Sequence, residues 1–181
     1  VAAILRKTVV LVGMMGAGKT AIGTGLAKRL AVPFLDSDAE IESAAAMSIA
    51  EIFERDGEAF FRDRETEVIG RLLDGTPGIL STGGGAFLAE RNRRMIHDRG
   101  VSVLLDADVD LLWSRVKHKN TRPLLRTADP RATLEEIYAV RAPIYGLADL
   151  SVKARVDYSI PEMVEKVVEV LRSRPDVLEE G

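Results

Sequence analysis

Cysteine is absent from the 181-residue chain. Disulfides and thiolate metal sites are therefore excluded. Histidine is scarce: only His97 and His118 occur. They lie far apart in sequence and read as surface residues rather than metal ligands. Long hydrophobic runs are missing too. The longest, such as TVVLVGMMGAG, are too short and too glycine-rich to span a bilayer. The N-terminus lacks the layout of a signal peptide, so the expected location is the cytoplasm. No charge of one sign dominates. The net charge is −3, with both signs scattered along the chain, which leaves no electrostatic footprint for nucleic acid. No internal repeat or low-complexity linker is visible. No coiled-coil pattern is visible either, and a monomer is expected.

What is present is the profile of a soluble globular protein, 46% apolar and 29% charged, at a length that suits one compact domain over residues 1–181. Short apolar runs alternate with segments of helical spacing. Strands are expected at Thr8–Val12, Pro33–Leu35, Gly78–Ser81, Val101–Asp106 and Val156–Ile160. Helices are expected at Thr20–Leu30, Ala39–Ala46, Ser48–Asp56, Glu58–Leu73, Ala89–Asp98, Val109–Lys117, Thr133–Ala148 and Pro161–Ser173. Continuously apolar strands separated by helices predict an α/β fold with a parallel sheet covered on both faces. Such sheets bind ligands beyond the carboxyl ends of their strands. Two stretches break the rhythm. From Ala39 to Leu73 no strand intervenes, which predicts a helical insertion over the sheet. The polar stretch KHKNTRPLLRTADPRAT reads as a mobile flap, with the lid at about residues 117–131. The acidic end, PDVLEEG, is expected to fray.

The strongest motif is GMMGAGKT, Gly13 to Thr20, which fits G-x-x-x-x-G-K-[ST]. A strand-like TVVLV precedes it and a helix-like TAIGTGLAKRL follows. Glycines let the backbone curl so that successive N–H groups face phosphate oxygens, and the helix N-terminus adds partial positive charge. Lys19 can reach the outer phosphates and the Thr20 hydroxyl can bind Mg²⁺. Gly13, Gly16, Ala17, Gly18, Lys19, Thr20 and Ala21 thus form the candidate ATP-binding set. The Asn-Lys-x-Asp motif of guanine readers is missing. A small kinase that closes a lid over ATP suits the arginines of RPLLR better.

The acceptor is harder to read. DSD places Asp36 and Asp38 at the end of a strand. Asp36 can hold Mg²⁺ through water, and Asp38 can bind an acceptor hydroxyl and take its proton. A plainer alternative is that Ser37 or Asp38 simply caps the helix beginning at Ala39. Arg62 and Glu65 in AFFRDRETE stand three residues apart. They form either a surface ion pair or a braced guanidinium fork for a carboxylate ligand. Gly83, Gly84 and Gly85 in STGGGAF suit a place where backbone must approach a ligand closely. Arg115, Arg122 and Arg141 read most simply as solvent-facing residues.

Taken in order, GMMGAGKT, LDSD, FFRDRE, STGGGA, TRPLL and VRAPIY resemble the shikimate kinases, over about Val9 to Leu171. The resemblance implies a P-loop kinase fold similar to nucleoside monophosphate kinases. That fold has a parallel sheet of five strands, a substrate-binding helical region at about residues 37–73 and a lid. It implies transfer of the γ-phosphoryl of ATP to the 3-hydroxyl of shikimate. Lys19 then resembles the phosphate-bridging lysine, Thr20 the Mg²⁺ ligand and Asp36 the aspartate holding metal-bound water. Asp38 matches the residue on the ring hydroxyls, as base or orienter. Arg62 and Arg141 look like the carboxylate clamp, with Glu65 fixing Arg62 and Gly83–Gly85 giving backbone contact. Phe53 and Phe61 match aromatic pocket walls. Arg122 resembles the lid arginine that reaches the transferring phosphate, and Arg115 the one over adenine. Two departures are visible. YGLAD lacks the acidic residue often found after that tyrosine, and GMM is bulkier than some versions of the loop.

Overall fold

The computed structural model describes residues 3–118 and 125–180. Five parallel strands make the sheet: β2 (Thr8–Val12), β3 (Phe34–Asp36), β4 (Ile79–Ser81), β5 (Gly100–Asp106) and β6 (Leu150–Lys153). Their spatial order is β3-β4-β2-β5-β6. Val9, Val10, Leu11 and Val12 of the central strand are at most 1% exposed. Burial on both faces is what an unbroken apolar strand demands, and the helices provide it. The α1 helix (Lys19–Leu30) packs beside α7 (Ile160–Leu171), while α4 (Glu90–Arg99) packs against β5 and α3 (Ile49–Leu73). The remaining helices are α2 (Ser37–Ala45), α5 (Val109–Val116) and α6 (Pro130–Tyr145).

The insertion reading of residues 39–73 is borne out. The α2 and α3 helices pack on each other around their own apolar cluster, Ile41, Ile52, Phe61 and Val68. The two helices expected on either side of Gly57 form the two halves of α3, which meet at a non-helical kink at that residue, where φ is 87° and ψ is 169°. Only glycine takes this conformation without strain, so the break lies where the sequence divided the helix.

Two expectations fail. No strand forms at Val156–Ile160; Val156 is 85% exposed and Ile160 already belongs to α7. The edge strand is β6 instead, registered Leu104 to Ser151 and Leu105 to Val152. Its start is pinned by Asp149, whose Oδ2 accepts from the Ser102 amide at 2.9 Å while its own amide donates to Ser102 Oγ at 2.8 Å. That contact spans 47 residues and leaves no local pattern to read. The C-terminal stretch does not fray. β7 (Leu178–Glu180) pairs antiparallel with β1 (Ala3–Leu5), and Val177 and Leu178 are buried. Arg6–Glu179 and Arg172–Glu180 ion pairs flank the ribbon. Glu179 and Glu180 face solvent while Val177, Leu178 and Leu5 reach the core, a pattern too short to recognise.

Candidate active site

The phosphate loop runs from the end of β2 into α1. Gly13, Gly16 and Gly18 all have positive φ, at 151°, 84° and 95°. Gly18 is the N-cap of α1 and supplies no side-chain cap, and the first turn carries no acidic residue. The first amides of the helix are thus left to an external anion, in a positive local potential. Lys19 arches over the loop, with Nζ donating to the Gly13 carbonyl at 2.6 Å. Thr20 and Ala21, in the first turn of the helix, are exposed, whereas Ala17 is fully buried. Arg115 reaches in from α5, donating Nη1 to the Gly16 carbonyl at 3.0 Å. Arg115 thus lies against the phosphate loop. Arg122 lies outside the described residues, as does the central part of the proposed lid.

The DSD aspartates divide their work. Asp36, not Ser37 or Asp38, caps α2: its Oδ1 accepts from the Asp38 amide at 2.9 Å and the Ala39 amide at 3.2 Å. Every hydrogen bond given to this carboxylate among the described residues runs to Oδ1. Oδ1 is the oxygen that makes the cap. The helix-start reading and the metal reading are both compatible with Asp36. Ser37 is fully buried, and its Oγ accepts from the Gly83 amide at 3.3 Å. Asp38 points inward toward the triple glycine. Burial pushes its carboxyl up from 3.8 to about 6; the neighbouring Asp36 and Glu65 charges push the same way, against the pull of Lys19.

Gly83, Gly84 and Gly85 follow β4, and none of them has positive φ. Space, rather than backbone angle, requires them. A Cβ at Gly83 would lie 2.6 Å from Asp38 Oδ1, one at Gly84 3.0 Å from Arg141 Nη1, and one at Gly85 2.6 Å from Arg62 Nη2. Three residues from three different helices thus converge on three consecutive glycines. Arg62 is braced by Glu65, with Nη1 to Oε1 at 2.9 Å. Glu65 is only 1% exposed, so the surface-pair reading fails. Burial raises the Glu65 carboxyl above its ordinary value, and the Arg62 hydrogen bond and charge pull it back. Phe61 packs beneath Arg62, whose Cζ is 5.2 Å from the ring centroid, and Phe53 packs on Phe61 at 4.8 Å between centroids. Phe61 is 3% exposed and belongs chiefly to the α2–α3 core; Phe53 is half-buried and is the more available wall.

This arrangement makes a specific prediction. Gly85→Ala should fold with little loss of stability, because the atom in its way is the far end of a flexible arginine. The same displacement should raise KM for a carboxylate acceptor about 10-fold or more, by analogy with the loss of one charge-assisted hydrogen bond. Steady-state kinetics together with a melting curve separate the two effects. A large drop in Tm with unchanged KM would show that the glycine serves packing only.

Sequence reasoning missed Tyr145 and Asn92. The Tyr145 hydroxyl donates to the Gly84 carbonyl at 2.6 Å. Asn92 is 1% exposed, donates Nδ2 to the Ala86 carbonyl at 2.8 Å, and accepts from Thr66 Oγ1 at 2.8 Å. The available signal for Tyr145 was its place four residues after Arg141, on the same helix face. Asn92 carries no such signal in a segment of alternating charges.

Comparison with known proteins identifies the family. The family model described as shikimate kinase matches residues 15–172. A shikimate kinase of Ruegeria pomeroyi is 69% identical over 98% of this chain and 91% of its own length. One from Cereibacter sphaeroides is 61% identical over 97% of this chain and 87% of its own. The solved shikimate kinase of Acinetobacter baumannii, in complex with shikimate, superimposes with a TM-score of 0.84 at 36% identity, covering 92% of this chain and 93% of that one. A family model matching residues 15–172 and a relative 69% identical over 98% of the chain place this protein in the shikimate kinase family.

Proposed function

We propose that the protein transfers the γ-phosphoryl group of ATP to the 3-hydroxyl of shikimate, giving shikimate 3-phosphate and ADP, and that the residues gathered above carry the roles that follow. The convergence of Asp38, Arg62 and Arg141 on Gly83–Gly85 is the observation that carries it. It forms a site with one carboxylate for hydroxyls and two guanidinium forks for a carboxylate. This polarity matches a polyhydroxy acid.

Phosphoryl transfer passes through a loose transition state, so catalysis is mainly positioning and neutralisation. The loop amides and the α1 N-terminus hold the phosphates. Lys19 sits where it can follow negative charge on the transferring group. Arg122 is assigned the same task, and Arg115 is assigned to the nucleotide. Thr20 Oγ1, and Asp36 through water, would hold Mg²⁺. The donor set suits this ion, which keeps several waters and takes few protein oxygens. No cluster of three or more acidic or histidine ligands exists among the described residues. When bound, Mg²⁺ would supply positive charge that offsets the negative charge of the phosphates. Asp38 orients the acceptor hydroxyl and receives its proton. Arg62 and Arg141 grip the carboxylate far from the reacting oxygen, which places that hydroxyl in line. Closure of the lid over residues 117–131 would exclude water, the competing acceptor. We place the protein in the cytoplasm as a monomer. No helix among the described residues is long and apolar enough to cross a membrane.

The test is a coupled assay of ADP release with Mg·ATP, comparing shikimate, quinate, gluconate and no acceptor. Turnover that depends on shikimate supports the assignment; equal or faster turnover of gluconate would refute it. The clamp has its own test. Arg62→Lys keeps a cation beside buried Glu65, avoiding the loss of about 3–5 kcal/mol expected when one partner of a buried pair is removed. An ammonium cannot reproduce the fork. KM for shikimate should rise about 10- to 100-fold while KM for ATP holds, as for loss of a charge-assisted bidentate contact.

A further inference from the structure

We infer that Tyr145 is a positioning residue for the shikimate carboxylate clamp: it ties the end of α6, which carries Arg141, to the triple-glycine turn that Arg141 approaches. This rests on the proposed role of Arg141. Tyr145 is 2% exposed, and its hydroxyl donates to the Gly84 carbonyl at 2.6 Å. Arg141 stands one helical turn earlier on the same face. Its Nη1 is the side-chain atom that a Cβ on Gly84 would meet, at 3.0 Å. The same glycine is thus approached by the guanidinium and gripped by the phenol. Burial raises the Tyr145 pKa, and the nearby positive charge of Arg141 acts against that rise.

The need for such a tie lies in the helix itself. Pro143 sits inside α6, between the two residues. Having no amide hydrogen, it cannot donate to the Ala139 carbonyl, so the last turn lacks one of its ladder bonds. The direction in which Arg141 points would otherwise depend on a weakened turn. A hydrogen bond of 2.6 Å to the Gly84 backbone fixes that turn against β4 and its glycines. Most of the tyrosine ring buries among core residues regardless. The hydroxyl is the part whose purpose packing does not explain.

The test is Tyr145→Phe, which keeps the ring. KM for shikimate should rise about 10-fold, with kcat within about twofold and KM for ATP unchanged, the pattern of lost substrate placement. A double-mutant cycle supplies the readout that a structural role would not move. Arg141→Ala alone should raise KM for shikimate, and adding Tyr145→Phe to it should change KM by less than about twofold, because the hydroxyl then has no guanidinium to place. A second measurement uses an acceptor with the carboxylate reduced to hydroxymethyl. The parent and Tyr145→Phe should use it equally. Effects that multiply in the double variant, equal rises in KM for ATP and shikimate, or an unchanged KM in Tyr145→Phe while Arg141→Ala is impaired would each overturn the inference alone. An unimpaired Arg141→Ala would overturn the clamp assignment, and this inference with it.

Discussion

Lys19→Ala is expected to lower kcat by about 10²- to 10³-fold, the usual scale for removing one preorganised group aimed at transition-state charge. The ammonium is held over the loop by the Gly13 carbonyl, so it is poised before the nucleotide arrives. Much of its contribution should appear only as charge develops on the transferring phosphoryl group. The loop amides and the α1 N-terminus survive the substitution. ATP should therefore still bind, with KM for ATP changing much less than kcat. Steady-state kinetics alongside direct nucleotide binding measure both quantities. If kcat stayed within about threefold of the parent, Lys19 would leave the catalytic set.

Asp38→Asn should have an effect of similar size on turnover, about 10²- to 10³-fold, within the range for a general base. It should also do something Lys19→Ala does not, and make the protein more stable. The Asp38 carboxyl is raised from 3.8 to about 6, mainly by burial. Between those two values the folded chain holds a proton that the unfolded chain releases. Stability conferred by the protonated form is therefore lost as pH rises through about 4 to 6, and stays lost above it. At pH 7.5 the ionised carboxylate strains the fold. Asparagine removes that charge, and unfolding free energy should rise by about 1–3 kcal/mol. In the parent, kcat/KM should fall as pH drops below about 6, as the base is protonated. In Asp38→Asn that acidic limb should disappear from whatever rate remains. A melting temperature unchanged or lowered at pH 7.5 would contradict the buried, strained carboxylate; retained turnover would contradict its role as base.

Much of this was legible before any coordinates. Four of the five sheet strands lie within a residue or two of their expected positions, because each is an uninterrupted apolar run between helices. The helical insertion was equally plain from the lack of a strand, and the bounds expected for its two helices meet at the break at Gly57. The fifth strand was misplaced because VDYSI is apolar enough to imitate one. The true edge strand, LSVK, is short and held by Asp149 and Ser102 across a distant loop. The terminal ribbon of Ala3–Leu5 with Leu178–Glu180 was invisible for the same reason: two short segments acquire meaning only when paired.

The sequence by itself determined the phosphate loop, since its spacing of glycines, Lys19 and Thr20 is a local device whose parts all lie within eight residues, Gly13 to Thr20. Backbone angles and the helix N-terminus follow directly from that string. Only the tertiary structure decided the acceptor site. Asp36 proved to be the helix cap, Glu65 proved buried, and Asp38, Arg62 and Arg141 came together on glycines that none of them adjoins in sequence. The physical reason is that a side chain's environment, rather than its identity, separates a surface ion pair from a braced fork and an ordinary aspartate from one titrating near 6. That environment is built by contacts between helices, and no local pattern records it.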